Sequence, residues 1–314
     1  MRETGRTYFE RNEANPLEED LIIVDEASML DISLFYHLLC ALKDGARLIL
    51  VGDIDQLPPV GAGEPLKDLM SWGYVPIVRL KRIFRQEEGS GIVENAALIR
   101  KGEMCVPDEA GEFRIVYAAD DEDAYRIVMD LCRELNYGNE ENKMLLQVLS
   151  PMYRGVCGVD HLNESLQEMI HGEKVPEGTK FLSGDKVMQT RNDYEKGVYN
   201  GDVGIVWTAT PQKVFVRYFD KEVTYEGEER FDLRLAYAVT VHKSQGSEYE
   251  TVIFILRPSQ HNMLQRNLLY TGVTRARKNT ILVTAPDALR RALAIQHTGN
   301  RYSLFLPFLN HEAL

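Results

Sequence analysis

No apolar run in the sequence approaches the ~20 consecutive residues needed to cross a bilayer, so a membrane-spanning helix is not expected. Residues 1 to 20 are rich in Arg and Glu and lack the apolar core of a secretory signal, which leaves a cytoplasmic location as the expectation. Cysteine is scarce. Cys40, Cys105, Cys132 and Cys157 stand far apart and form no CxxC pair, which removes the usual zinc and redox spacings and predicts inert, mostly buried thiols. None of the 23 glycines is followed by lysine, so the G-x-x-x-x-G-K-[ST] loop that cradles nucleotide phosphates is absent from these residues. Repeats and low-complexity stretches are also missing, and apart from the carboxylates discussed below no acidic cluster has the spacing of a nuclease metal site.

What is present is an ordinary globular composition, 44% hydrophobic and 27% charged over 314 residues. At roughly 150 residues per domain, that length predicts about two folded units. A formal net charge of -12 argues against a nucleic-acid binder taken as a whole. The average hides an asymmetry. Residues 103–142 carry twelve Asp and Glu against three Arg, whereas residues 257–301 carry eight Arg and Lys against one Asp. The second stretch is therefore a candidate phosphate-binding surface, although such a run is more commonly a solvated charged face.

Apolar periodicity predicts an α/β protein. Leu21 to Val24 and Leu48 to Val51 read as strands flanking an amphipathic stretch through Leu34, Leu38 and Leu42, followed by a strand at Val75 to Leu80 and a helix around Ile92 to Ile99. Residues 1–102 are taken as a first domain. Residues 103–142 read as an acidic linker with one helix, Asp123 to Leu135. A second α/β domain covers 143–180 and 234–314, with Val159, Leu162, Leu166 and Ile170 on one helix face. Within it, residues 181–233 change to short alternating segments separated by Gly, Asn and Asp turns, which predicts an inserted small antiparallel β-barrel.

Two strand ends carry chemistry. LIIVDEASML ends a buried strand in the adjacent carboxylates Asp25 and Glu26, a pairing suited to a magnesium ligand beside a water-activating base at the C-terminal edge of a parallel sheet. The next strand leads into LILVGDIDQLPPVGAGEPL, with Asp53, Gln56 and the rigid Pro58-Pro59 turn. Each has a plain alternative, a solvated strand end and a polar Gly-Pro loop.

Taken in order, LIIVDEASMLD, LILVGDIDQLPPVGAGEPLKDLM, VRLKRIFRQ, LAYAVTVHKSQGSEYETVI and NLLYTGVTRARK resemble motifs II to VI of RecD-like superfamily 1 DNA helicases. VLSPMYRGVCGVDHLNESLQ and SGDKVMQTRNDYEKGVYNGDVGIV are similar to the same family between them, so the resemblance runs from about Phe9 to Leu309. It implies two RecA-like P-loop NTPase-type domains, the first incomplete, and ATP-dependent translocation on single-stranded DNA in the 5′ to 3′ direction, with unwinding at duplex junctions. By resemblance Asp25 would hold Mg²⁺ and Glu26 would deprotonate the attacking water. Gln56, Arg85 and Arg275 would contact the γ-phosphate of ATP, Arg275 from across the interdomain cleft. Thr240 and His242 would approach the DNA backbone, Gln245 and Gly246 would shape a loop, and Glu248 would face the nucleotide. In this reading Thr271, Arg275 and Lys278 share one helical face.

The family places its phosphate loop before the Asp-Glu strand, and only 24 residues precede Asp25. The expectation is accordingly a truncated first domain with no ATPase activity of its own, an exposed apolar face, and a missing N-terminal segment or another subunit as partner. Two alternatives stay open: the helicase portion of a conjugative relaxase, and a non-catalytic remnant that binds DNA or a partner.

Overall fold

A computed structural model describes residues 2–3, 6–7, 9–80, 89–172, 175, 180–296 and 305–310. The chain forms two compact units, Met1–Arg82 with His297–Leu314, and Ile83–Gln296. Among the described residues no helix is long and apolar enough to cross a membrane.

In the first unit a short antiparallel pair, β1 (Arg2–Glu3) and β2 (Arg6–Thr7), precedes two parallel strands, β3 (Leu21–Val24) and β4 (Arg47–Leu50). Helix α1 (Ile32–Cys40) connects β3 to β4, and its start is set by the Asp31 carboxylate, which accepts from Leu34 N at 2.8 Å. Helix α2 (Pro65–Trp72) opens on a proline and stops at Gly73, whose φ of +77° suits glycine. Trp72 Nε1 donates to the Leu309 carbonyl at 3.1 Å, and Phe35 meets Phe305 edge-on, which holds the helical turn Phe305–Leu309 to this unit. Leu21, Ile23, Ile49 and Val51 are exposed, so one face of the β3–β4 pair is apolar and open. The strand expected at Val75–Leu80 does not form. The segment is irregular, with Val78 and Leu80 each 87% exposed, and without a neighbouring strand its apolar residues gain neither ladder bonds nor burial.

The second unit contains helices α3 (Gly91–Lys101), α4 (Asp121–Glu134), α5 (Glu140–Leu145) and α6 (Val159–His171), and strands β5 (Phe113–Tyr117) and β6 (Leu146–Ser150). Next come β7 (Lys186–Gln189), β8 (Val203–Ala209), β9 (Lys213–Arg217), β10 (Glu222–Glu226) and β11 (Leu233–Leu235). It ends with β12 (Ala238–Thr240), β13 (Tyr249–Leu256), α7 (Arg266–Val273), β14 (Ala276–Thr284) and α8 (Pro286–Ala294). The main sheet runs β12-β6-β13-β14-β5 and every ladder in it is parallel. β6 is buried at all five positions, as a strand covered on both faces must be.

Residues 103–142 are not a linker. β5 pairs with β14 from Phe113↔Thr280 to Tyr117↔Thr284, and α4 buries Ala124, Val128, Met129, Leu131 and Cys132. Much of the acidity there ends helices and turns. Asp120 caps α4 by accepting from Asp123 N at 2.8 Å, and Asp121, Glu122 and Asp123 lie in the first turn, where the helix dipole favours negative charge. Glu112 accepts from Ser90 Oγ and Gly91 N, tying the start of α3 to β5. Helix α3 packs on α7 and β14 in this unit, ahead of the boundary expected at residue 102. Cys105, Cys132 and Cys157 are buried free thiols whose pKa values burial pushes up to about 12.

The inserted element is a five-stranded antiparallel sheet, β10-β9-β8-β7-β11. Among the described residues no ladder joins β10 to β11, so the expected barrel appears here as a sheet with two edges. Val214, Val216, Val223 and Tyr225 point inward from β9 and β10 at period two. At its root Asp185 and Lys186 are both fully buried. The Asp185 carboxylate accepts from Leu182 N at 2.6 Å, the Tyr237 hydroxyl at 2.9 Å and Gln167 Nε2, and meets His171 Nε2 at 2.8 Å. Lys186 Nζ donates to the Leu146 carbonyl at 3.1 Å and to Gln147 Oε1 at 2.9 Å.

Burial lowers the Lys186 pKa from 10.5 to about 7, so between those values the unfolded chain binds more protons than the folded one. Unfolding free energy therefore rises with pH across this window, by at most about 1.4 kcal/mol per pH unit from this group. Urea titrations followed by circular dichroism at about pH 7.5 and about pH 9.5 should show that rise in the wild type and a smaller one in Lys186→Met. Equal slopes in the two proteins would exclude this ionisation.

Candidate functional site

Asp25 follows β3 directly and is exposed, and its Oδ1 accepts from Glu26 N at 2.8 Å. Glu26 turns the chain through a left-handed conformation, φ 50° and ψ 36°, which a non-glycine residue adopts only at a cost of about 1–2 kcal/mol. The turn is held on its far side, where Ala27 N donates to the Val51 carbonyl at 2.8 Å and Met29 N to the Glu26 carbonyl at 2.9 Å. Gly52 permits this approach, because a Cβ there would lie 2.8 Å from both Ser28 N and Leu66 Cδ2.

After β4, Asp53 Oδ1 accepts from Asp55 N at 3.0 Å and the Asp53 carbonyl from Gln56 N at 3.2 Å, a turn that brings Gln56 beside Ala27 and Ser28. Together with Leu57, Pro58, Glu64 and Lys67 they line a small pocket of about 20 Å³, room for about one water-sized group. Among the described residues the buried Ser28 hydroxyl has no hydrogen-bond partner, so the pocket offers a polar atom to an incoming ligand. The structure thus brings Asp25, Glu26 and Gln56 to one edge of the β3–β4 pair. Arg85 lies outside the described residues.

The expected residues of the second unit fall at opposite edges of the parallel sheet. Val239, Leu149 and Phe254 share a register, which puts Thr240, the last residue of β12, at the C-terminal edge. Glu248 immediately precedes β13, and Arg275 precedes β14 with its carbonyl accepting from Tyr249 N at 2.9 Å, so these two lie at the N-terminal edge. At ~3.3 Å per residue the five steps from Tyr249 to Phe254 separate the two levels by roughly 16 Å.

Arg275 is not on a helix. Helix α7 ends at Val273 and β14 begins at Ala276, so Thr271, Arg275 and Lys278 share no helical face; the β-branched and apolar run that follows is better buried as a strand. The Arg275 side chain is buried, with Nε donating to the Thr271 carbonyl at 3.1 Å and Nη1 to the Ser247 carbonyl at 3.2 Å. Glu248 pairs with Arg277 at 3.4 Å. Gly246, φ +75°, forms the left-handed bend of the loop between them, where a side chain would be strained.

Thr240 Oγ1 accepts from Lys243 N at 3.2 Å and caps the short helical turn Val241–Ser244, which carries His242. This turn opens onto a groove of about 1680 Å³. Tyr153 and Arg154, beyond the end of β6, line it beside Thr190, Arg191, Arg234 and Lys243, while α6 contributes Asp160, Glu164 and Glu168. Burial and then the nearby Arg234 lower the Lys243 pKa, and its Nζ donates to Asn200 Oδ1 at 2.7 Å.

The basic stretch at 257–301 does not supply this surface. Arg257 and Arg275 are buried, Arg266 donates to the Leu293 carbonyl, and Arg277 and Lys278 pair with Glu248 and Glu250. Tyr153, Arg154, Arg191 and Arg234 were missed by motif reading because they are scattered along the chain and only β6, β7, β11 and β12 bring them together. The residue pattern hinted at one of them: Arg234 stands between Leu233 and Leu235, an outward position on an alternating strand.

Three protein families match the chain. An AAA domain covers residues 4–114, the SH3 domain of ATP-dependent RecD-like DNA helicases covers 162–218, and the UvrD-like helicase C-terminal domain covers 235–283. The chain is 37% identical over 304 residues to the ATP-dependent RecD2 DNA helicase of Deinococcus radiodurans, matching 96% of this chain and 41% of that protein. It is 33% identical to the RecBCD enzyme subunit RecD of Mycolicibacterium smegmatis, matching 94% of this chain and 56% of that protein. The chain therefore spans about half the length of these relatives. Among solved structures, the Pif1 helicase from Bacteroides in complex with ADP-AlF3 and ssDNA shares the fold at a TM-score of 0.58 and 20% identity, over 98% of this chain and 79% of that one.

The left-handed conformation of Glu26 carries a measurable cost. Glu26→Gly should stabilise the first unit by about 1 kcal/mol, since glycine adopts that conformation without a Cβ clash, while Glu26→Gln should leave stability unchanged. A urea midpoint for Glu26→Gly at or below that of the wild type would show that the carboxylate offsets the strain.

Proposed function

We propose that this chain, which belongs to the RecD-like helicase family, supplies most of an ATP-dependent DNA helicase motor that moves 5′ to 3′ along single-stranded DNA and opens duplex junctions. The observation that carries the reading is the joint occurrence, in one chain, of an Asp-Glu strand end beside Gln56 and a Thr240–His242 turn opening onto a groove whose cations, Arg154, Lys180, Arg191, Arg234 and Lys243, stand among carboxylates of α6 and of Glu228, Glu229 and Asp232, with Arg191 paired to Asp232 and Arg234 to Asp160. Exposed Asp25 fits one carboxylate ligand of Mg²⁺, an ion that is usually held by one or two carboxylates with substrate phosphates and water. Among the described residues no group of three or more His, Cys, Asp and Glu forms a fuller cage, which suits an ion that arrives with a nucleotide. Glu26, aimed by its left-handed turn, would orient and deprotonate the attacking water, and Gln56 would contact the γ-phosphate. Arg85 and Arg275 would stabilise charge developing on the transferred phosphoryl group, a role typically worth about 10³–10⁵ in turnover. Glu248 would face the nucleotide beside the Gly246 bend.

On the other edge of the sheet, Thr240 and His242 would contact the DNA backbone, with Arg154, Arg191, Arg234 and Lys243 as phosphate partners and Tyr153 as an aromatic surface. Lys243 is well suited to this, because an ammonium partly removed from water gains more from a phosphate than from solvent.

Two outcomes check the reading. Binding of the 314-residue chain to a fluorescent single-stranded oligonucleotide should weaken steeply as salt is raised, and Arg234→Ala with Lys243→Ala should flatten that salt dependence by roughly one unit of slope each. Absence of binding at low salt would exclude the DNA reading.

The second outcome concerns turnover. We infer that these 314 residues alone do not hydrolyse ATP at a useful rate, because no Gly-Lys phosphate loop is among them to cradle the α- and β-phosphates and complete the Mg²⁺ shell. Phosphoryl transfer rests on positioning and charge stabilisation, so losing the cradle costs more than losing any one side chain. Phosphate release with Mg²⁺ and saturating single-stranded DNA should stay at background. DNA-stimulated release that disappears in Glu26→Gln would mean that another cradle exists.

A further inference from the structure

The inserted sheet carries a feature that the motor reading leaves unexplained. Between β7 and β8 the chain makes an excursion over residues 190–202, and two large aromatic side chains stand out from it, Tyr194 at 73% and Tyr199 at 48% exposure. Single exposed aromatics are common on protein surfaces, but these two meet edge to face with ring centroids 6.1 Å apart and planes at 74°. In that arrangement the two ring faces are not stacked on each other.

The excursion is held by many bonds for its length. Asp193 and Val198 exchange backbone hydrogen bonds at 2.7 and 3.0 Å, and Asp193 Oδ1 accepts from Glu195 N and Lys196 N. Lys196 Nζ donates to the Thr224 carbonyl at 3.0 Å, which ties the tip to β10, and Asp202 Oδ2 accepts from Tyr199 N at 2.8 Å. The Tyr194 hydroxyl is itself held by Asn192 Nδ2 at 3.3 Å. The carboxylates of Asp193 and Asp202 thus serve the loop's own backbone. Two rigidly mounted aromatic rings bind a flat ligand at low entropic cost, since little motion remains to be lost.

The base of the same excursion sits at the groove. Asn192 Oδ1 accepts from Asn200 N at 2.9 Å within the loop, and Asn200 Oδ1 accepts from Lys243 Nζ at 2.7 Å, so the loop that carries the tyrosines is bonded to the turn that Thr240 caps. Thr190, Arg191 and Lys243 all line the groove. Cations that can take a phosphate therefore stand at the foot of the loop, and the exposed rings stand on it. This is the combination that binds a single strand without sequence preference, a charged track beside aromatic faces.

We infer that Tyr194 and Tyr199 form a stacking platform for unpaired nucleobases of a single strand whose backbone lies in the groove. The inference rests on the DNA reading above and adds to it a base contact made by the inserted sheet. Any base presents a π-face, so the platform is tolerant of sequence, and stacking on one ring is worth ~1–3 kcal/mol by truncation, or roughly five- to a hundred-fold in affinity.

The test uses the 314-residue chain and a fluorescein-labelled oligothymidylate of about twelve nucleotides, alongside the same oligonucleotide with abasic sites throughout. In the double variant Tyr194→Leu, Tyr199→Leu, affinity for the base-bearing strand should fall about ten-fold or more while affinity for the abasic strand stays within about two-fold of wild type. Tyr194→Trp with Tyr199→Trp should restore it. Unchanged affinity of the Leu variant for the base-bearing strand, or an equal loss on both strands, overturns the inference and leaves the DNA reading standing. No binding of either strand by the wild type at low salt overturns both. Should the Leu variant fail to fold, 2-aminopurine placed at successive positions of the strand and read with the wild type decides the matter: quenching confined to one or two adjacent positions is expected, and a signal that does not vary with position overturns the platform.

Discussion

Two polar side chains fully buried on adjacent residues, the Asp185 carboxylate and the Lys186 amine, anchor the inserted sheet to the parallel one. Neither pairs with the other. Asp185 is satisfied from α6 by Gln167 and His171 and from the start of the β12 segment by Tyr237, while Lys186 is satisfied from β6 by the Leu146 carbonyl and Gln147. A buried charge without partners costs several kcal/mol, so the two elements can meet in few orientations other than the one that completes both sets. The groove follows from this. It lies where α6, β7, β11 and β12 come together, and the Lys243–Asn200 bond across its rim forms because the root has already placed the two sides.

The parallel sheet imposes a second constraint, a separation of tasks. Thr240 ends a strand and Glu248 begins the next, yet they stand at opposite edges because β12 and β13 run in the same direction on either side of β6. The nine residues from Thr240 to Glu248 therefore lead from the edge proposed for DNA back to the edge proposed for nucleotide. Buried Arg275, bonded to the Ser247 carbonyl, belongs to the same connection.

Charge shows how easily a sequence average misleads. In the stretch with the greatest basic excess Arg257 and Arg275 are buried and Arg277 and Lys278 pair with carboxylates of their own unit, and the most acidic stretch holds its carboxylates largely at helix starts and turns. The cations that do face the groove come from segments with no net basic character, and Arg234 adds to the burial that lowers the Lys243 pKa there.

Much of the α/β plan could be read from the residues alone, because buried parallel strands need unbroken apolar runs and their helices need apolar residues at period 3.6, as in VIFIL of β13 and in Val159, Leu162 and Leu166. The alternating run of the inserted sheet was legible for the same reason, and motif order was enough to point to the family. The Asp25–Glu26 strand end was likewise visible as a local pattern, whereas Thr240 was singled out only by the family resemblance. Where reading failed, the deciding contacts were distant in sequence. Phe113–Tyr117 is a strand only because β14 lies beside it, and Val75–Leu80 is not one because no strand among the described residues pairs with it. The helix expected through Arg275 gives way to a strand whose partners, β13 and β5, lie up to 167 residues away at the Phe113↔Thr280 pair. What the sequence determined by itself, then, was every feature that rests on neighbours within a turn or a strand: periodicity, caps, strand-end carboxylates. The tertiary structure decided which cations face a groove, which are used internally, and that two tyrosines five residues apart share one rigid loop above the Thr240 turn, because those outcomes depend on burial and pairing between segments that meet only on folding.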